Sequence, residues 1–109
     1  MRFSLGAHVL CIAAAAASAA EPPAPGQAVV FVDHDLHEPF GIDFDGQGRA
    51  YIVQMTGNRV SVLDENGTLT VLAGTGEKGP PADDVPGAQA RFDGPHHLLV
   101  GPDGALYVA

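Results

Sequence analysis

Four histidines stand just ahead of segments that read as strands: His34, His37, His96 and His97. A neutral imidazole nitrogen is a common protein ligand for zinc and other divalent metals. His96-His97 is an adjacent pair, and successive residues of a strand point to opposite faces, so at most one of the two can face a shared metal. His34 and His37 belong to Asp33-His34-Asp35-Leu36-His37-Glu38, six residues dense in carboxylate and imidazole donors. Such a set can take a divalent cation, and it reads equally as a polar loop before a strand. Asp83, Asp84 and Asp93 offer the oxygen ligands calcium prefers, without the spacing of an EF-hand loop. Asn66-Gly67-Thr68 fits the glycosylation acceptor pattern of a eukaryotic secretory pathway. The chain holds no phosphate-binding glycine loop, no nucleophilic-serine motif and no Cys-x-x-Cys. No catalytic constellation is complete, and the sequence leaves open whether the protein is an enzyme.

The elements that must position these groups are short and repeated. Pro39 to Val53 returns as Pro95 to Ala109, 56 residues later. Proline, glycine and tyrosine recur in place (Pro39/Pro95, Gly48/Gly104, Tyr51/Tyr107), and apolar residues recur at Ile42/Leu98, Phe44/Val100, Ala50/Leu106 and Ile52/Val108. Repetition on this scale marks one supersecondary unit used again. Gln27–Val32 is a β-branched run that reads as a strand. Gly41–Phe44, Arg49–Gln54, Arg59–Leu63 and Thr68–Ala73 follow as strands, divided by Asp45-Gly46-Gln47-Gly48, Thr56-Gly57-Asn58 and Asp64-Glu65-Asn66-Gly67. Glycine and asparagine at these points supply the left-handed backbone that tight turns use. The period-two alternation of Arg59–Leu63 is that of a half-buried strand. No segment has a convincing helical period. The expected class is all-β, and four-stranded antiparallel meanders repeated in sequence are the blades of a β-propeller. Residues 39–73 are then a first blade and 95–109 the start of a second. One and a half such layers cannot bury both faces and are not expected to be stable alone. Between them, residues 74–94 carry five glycines and three prolines. This long connection contains one candidate helical turn at Ala88–Phe92, and Phe92 is expected to anchor it in the core.

Residues 1–20 read as a secretory signal peptide: Met1-Arg2, an apolar run from Phe3 to Ala17, and small residues at Ala17-Ser18-Ala19-Ala20. A Pro/Ala linker over 21–26 follows, and 27–109 is the body. The expected location is secreted or periplasmic, with no membrane attachment after cleavage. Cys11, the single cysteine, falls in the signal region without a lipidation box before it, so packing and not disulfides must hold the rest. Beyond residue 20 the chain keeps four basic residues against thirteen acidic ones. That balance argues against nucleic acid or an anionic membrane surface as partner; it suits a cation or a neutral ligand, and reads equally as a solvated acidic surface that keeps a secreted protein soluble.

Pro39, Gly41, Ile42, Phe44, Asp45, Gly48, Tyr51 and Ile52, followed by Asn58-Arg59-Val60, resemble the motif of the NHL-repeat β-propellers. Val71-Leu72-Ala73-Gly74-Thr75-Gly76 and Pro86-Gly87-Ala88-x-Ala90-x-Phe92-x-x-Pro95-His96 resemble the inter-blade segment of secreted bacterial members. The resemblance spans about residues 29–109. Departures are Gln54, where the family carries Asp, Gly101-Pro102 in place of Asp-x, and His97 in place of Gly. The resemblance implies a closed ring of about six blades, with Gln27–Val32 closing the ring or ending a preceding blade. It implies a binding scaffold that meets a protein or small-molecule ligand on one propeller face. The alternative is a metal-dependent lyase or lactone hydrolase with its site at the channel mouth. Related propellers, the amidating lyases, hold metal by histidines on inner strands, and His97 is the best match to such a place. Zinc or calcium is the cofactor that this alternative implies. Lactonase-type propellers carry a metal-ligating Glu before their first inner strand, but the spacing around Glu38-Pro39 differs and the role does not carry over.

Overall fold

The structure is a computed structural model that describes residues 21–22 and 24–109. Residues 1–20, expected to be a signal peptide, lie outside the described residues, Cys11 among them. A segment ending at Phe31 and a body from Val32 to Ala109 form separate units. In the first, a turn at Pro25-Gly26 is closed by the Gln27 N–H donating to the Ala24 carbonyl at 2.9 Å. The strand expected over Gln27–Val32 does not form. Extended, β-branched sequence becomes a strand only beside an edge that takes its hydrogen bonds, and Val29, Val30 and Phe31 are exposed.

The body is all-β. Strands β1 (Pro39–Phe44), β2 (Ala50–Gln54), β3 (Arg59–Leu63) and β4 (Leu69–Ala73) form one antiparallel sheet in chain order. Strands β5 (Leu98–Val100) and β6 (Leu106–Val108) form a second, two-stranded sheet. Three of the turns share one device. Asp45 Oδ1 accepts the N–H groups of Gln47 and Arg49, Asp64 Oδ1 those of Asn66 and Thr68, and Asp103 Oδ1 that of Ala105. Each turn then passes through a glycine of positive φ, Gly48, Gly67 or Gly104, which an L side chain would strain.

Cross-strand register sorts the side chains onto two faces. Ile42, Ile52, Ser61 and Val71 form one row across the sheet, and Phe44, Ala50, Leu63 and Leu69 the next. On the opposite face stand Asp43, Tyr51, Val62 and Thr70, then Gly41, Val53, Val60 and Ala73. The core centres on Ala50, Ile52, Val53, Val60 and Leu63. The second sheet packs on the Gly41/Asp43 face, through contacts of β5 with β1 and β2. Its own residues alternate cleanly: Leu98, Val100, Leu106 and Val108 are half-buried, whereas Leu99 and Tyr107 are exposed.

The connection between the sheets is ordered by its own backbone. The Gly74, Thr75 and Gly79 N–H groups donate to the Gly87, Ala90 and Phe92 carbonyls, so 74–79 runs beside 87–92. The turn expected over Ala88–Phe92 is instead a short 3-10 helix at Gly87–Gln89. Ala90 is extended (φ −66°, ψ 153°), and Ala90 and Phe92 offer their carbonyls to the Thr75 and Gly79 N–H groups of the parallel segment. Phe92 is half-buried. Lys78 meets Asp93 at 3.0 Å and Arg91 meets Glu77 at 3.7 Å across the fold-back; both pairs are exposed and add little.

Gly41 marks the closest approach of the two sheets. A Cβ there would lie 2.9 Å from the His96 carbonyl oxygen and 3.2 Å from Val53 Cγ1. Backbone cannot yield as a side-chain tip can, so Gly41→Ala is expected to cost about 1–3 kcal/mol through overpacking. Gly46→Ala, at a site open on all sides, is expected to stay within roughly 0.5 kcal/mol of the parent. Urea denaturation of both variants checks this, and equal costs would refute the close-approach account.

Candidate functional site

The histidines take separate places. His34 Nδ1 lies 3.5 Å from Asp33 Oδ1 on an exposed stretch. His37 is fixed through its backbone: its N–H donates to Gln54 Oε1 at 2.7 Å, while Gln54 Nε2 donates to Ser61 Oγ at 2.8 Å. Gln54 is fully buried, so its amide ties the chain entering β1 to the end of β2 and the middle of β3. Asp35 and Glu38 take positive φ of 56° and 49°, which bends this segment onto the sheet, and the Met55 N–H donates to the Glu38 carbonyl. His96 turns its ring edge-on to Phe40, with centroids 4.8 Å apart and planes at 77°. His97 is exposed and pairs with Ala109, which donates to the His97 carbonyl at 2.9 Å and accepts its N–H at 3.0 Å.

Among the described residues no three His, Cys, Asp or Glu side chains come together in a group that could hold a metal ion. Asp83 and Asp84 are exposed and Asp93 is engaged by Lys78, so the structure does not assemble the three aspartates into one oxygen cage. Asn66 is exposed at the tip of the β3–β4 hairpin, where a glycan would meet no obstruction. Among the described residues no helix is long and apolar enough to cross a membrane.

A polar cleft lies between the β1–β2 and β5–β6 turns, lined by Asp45, Gln47, Arg49, Tyr51, Gly101 and Asp103 among others. Its most charged residue has no capacity left for a ligand. Asp45 Oδ1 accepts two backbone N–H groups, and Oδ2 accepts Arg49 Nε at 2.7 Å and the Tyr51 hydroxyl at 3.1 Å. Partial burial works against its ionisation, but the bonds from Arg49, Gln47 and Tyr51 outweigh this and hold the carboxyl at about 2. This cluster fixes the turn. The second repeat lacks it: Gly101 stands in the place of Asp45, because a Cβ there would meet Asp103 Oδ1 at 2.8 Å and Tyr107 Cε2 at 2.9 Å. Tyr107 is 58% exposed and, among the described residues, its hydroxyl has no partner. Tyr51 and Tyr107, matched in the two repeats, therefore play different parts: the first is half-buried and bonded to Asp45, the second exposed.

Exposed apolar side chains stand on both sheets. Ile42, Phe44 and Val71 are about half exposed on the four-stranded sheet, on the face where Ala50, Ile52, Ser61 and Leu63 are buried. Leu99 and Tyr107, with His97 beside them, line a shallow groove on the free face of the second. Between the layers, Asp43 Oδ2 accepts the Val100 N–H at 2.8 Å and Oδ1 accepts the Phe44 N–H at 2.9 Å. Asn58 (φ 48°) holds the end of the long connection by accepting the Gly94 N–H at 3.0 Å. Sequence reading passed over Asp43 and gave Gln54 no role. The signal for Gln54 was present, as a polar residue inside an apolar strand.

The aspartates generate a prediction. The Val100 and Phe44 N–H groups pull the Asp43 carboxyl below its ordinary value, in the same direction as Asp45. A depressed folded-state pKa stabilises the fold above the unfolded value and is lost as pH falls through the folded one. The Asp45 share is therefore whole above pH 3.8 and fades toward about 2. Urea midpoints by circular dichroism should drop across that window. Asp45→Asn should start lower at neutral pH and lose much of the acid dependence; an unchanged acid profile would contradict the assignment.

Compared with known proteins, the chain matches no protein-family model and no curated protein.

Proposed function

We propose that the chain is part of a secreted or periplasmic NHL-type β-propeller that serves as a binding scaffold for a protein or small-molecule ligand. One observation carries the reading: the repeated sheet unit lays its half-buried apolar face on the unit before it and leaves Leu99 and Tyr107 exposed on its other face. Such layers are completed by neighbours on both sides. The motif residues support the same reading. Gly41 lets the next layer approach, Asp45 and Tyr51 lock the first turn, and Asn58 ties down the connection between layers. The acidic balance favours a protein or neutral ligand over nucleic acid. No complete set of catalytic groups is gathered among the described residues, which favours a scaffold over the lyase or lactone hydrolase.

The propeller reading expects that the source DNA, read onward from the codon for Ala109, encodes further copies of the Pro-x-Gly…Gly-x-x-Tyr unit. The scaffold reading expects that the purified secreted protein carries no stoichiometric zinc or calcium by elemental analysis and turns over neither lactones nor amidation intermediates. Metal-dependent turnover, lost on chelation and restored by the metal, would overturn the scaffold in favour of the enzyme.

A further inference from the structure

Asn66-Gly67, at the tip of the β3–β4 hairpin, carries chemistry of its own. Asparagine is among the thermolabile residues, and a glycine after it leaves the next backbone nitrogen unshielded by a side chain. Asn66 and Gly67 are both exposed, and a Cβ on Gly67 would meet nothing within 4 Å. Among the described residues the Asn66 side-chain amide makes no hydrogen bond; only its backbone N–H is held, by Asp64 Oδ1 at 2.9 Å. The chain's other asparagine is the opposite case. Asn58 is buried, its Oδ1 accepts the Gly94 N–H at 3.0 Å, its Nδ2 donates to the Thr56 carbonyl at 3.4 Å, and Arg59 follows it. Three Asp-Gly pairs have the atoms for the same ring closure, but an ionised carboxylate is a poorer electrophile than a neutral amide. Each is also engaged: Asp45 by four hydrogen bonds, Asp93 by Lys78 and Asp103 by the Ala105 N–H.

We propose that Asn66 is a site of spontaneous covalent modification, deamidation through a cyclic imide, and that the turn built by Asp64 sets its rate. The Gly67 nitrogen gives its proton to a solvent base and bonds to Asn66 Cγ. The Cγ–Nδ2 bond breaks, and Nδ2 leaves as ammonia with a proton from water. Water then opens the ring on either side of the Gly67 nitrogen. Breaking its bond to Cγ leaves aspartate; breaking its bond to the Asn66 carbonyl carbon leaves isoaspartate, with one more carbon in the main chain. The turn is a brake on the first step. The Gly67 N–H donates to the Asp64 carbonyl at 3.0 Å, and Asp64 Oδ1 also accepts the Thr68 N–H at 2.9 Å, so the nitrogen attacks only when the tip opens. Either product removes the Asn66-Gly67-Thr68 glycan acceptor. Isoaspartate also lengthens the loop that sets the Leu63↔Leu69 register of the hairpin. The inference rests on the hairpin and does not require the propeller reading.

The full chain held in mildly alkaline buffer, with folding followed by circular dichroism and sites mapped by mass spectrometry that separates isoaspartate from aspartate, tests both parts. Asn66 should convert, with isoaspartate among the products, while Asn58 and the three Asp-Gly pairs stay unchanged over the same time. Urea should speed the Asn66 reaction roughly tenfold by keeping the tip open, and Asp64→Ala should speed it several-fold in the folded protein. A folded chain in which Asn58 or an Asp-Gly pair converts ahead of Asn66 would overturn the site. So would an aspartate product free of isoaspartate, the mark of direct hydrolysis, or a folded chain that keeps Asn66 intact while the urea-treated chain converts. Equal rates in buffer and in urea would overturn the brake, and that comparison decides it even where Asp64→Ala does not fold.

Discussion

Backbone meets backbone where β1 passes the segment entering β5, and the two-layer arrangement depends on that contact. The approach is possible only because residue 41 has no side chain. It also meets a specific need of β5. The His97 and Gly101 N–H groups bond toward β6 and its neighbours, to Ala109 and Ala105, so by period two the Val100 N–H points the other way, off the edge of its sheet. An unpaired edge donor pressed against another layer is costly. The Asp43 carboxylate supplies the acceptor at 2.8 Å, and a bond to an ionised acceptor is stronger than one between neutral groups. One glycine and one aspartate, two residues apart, thus fix how near the second layer comes and where along β1 it stops.

Away from the seam, buried or part-buried polar side chains finish what the strand ladders leave open. Gln54 bridges the His37 N–H and Ser61, and Asn58 receives the Gly94 N–H. Each connects residues distant in sequence at the point where a loop enters or leaves a sheet. Removing such a group strands a buried partner and loses more than the bond itself contributes. The loops here are accordingly fixed by few atoms. The exposed ion pairs of the long connection, Lys78–Asp93 and Glu77–Arg91, are secondary to its backbone bonds.

The strands were legible because their signals are local. Period-two alternation in Arg59–Leu63 and the Asp-x-x-Gly turns need nothing beyond neighbouring residues, and the four-stranded sheet follows from them. Gln27–Val32 shows the limit: its composition is that of a strand, but strand formation is decided by a partner edge that composition does not encode. Ala88–Phe92 failed for a related reason, since helical propensity there yields to carbonyls claimed by Thr75 and Gly79. Asp43 looked like an ordinary polar residue alternating in a strand, and its role appears only when Val100, 57 residues away, is brought beside it. The histidines stood out by residue type, and type alone does not gather them.

Comparison of the two repeats shows where the chain varies and where it keeps its pattern. Ile42/Leu98, Phe44/Val100, Ala50/Leu106 and Ile52/Val108 stay apolar, and in the second repeat these are the residues turned back toward the preceding layer. Gly41/His97, Asp43/Leu99 and Val53/Ala109 differ in size or chemistry, and in the first repeat Gly41, Asp43 and Val53 stand on the face that β5 covers. A unit that meets its predecessor with a common apolar surface and its successor with an individual one has its order written into one face only. Apolar burial then supplies adhesion that any layer can share, while Gly41 and Asp43 on the individual face fix how the next layer sits. The same division places the exposed histidine on the individual face.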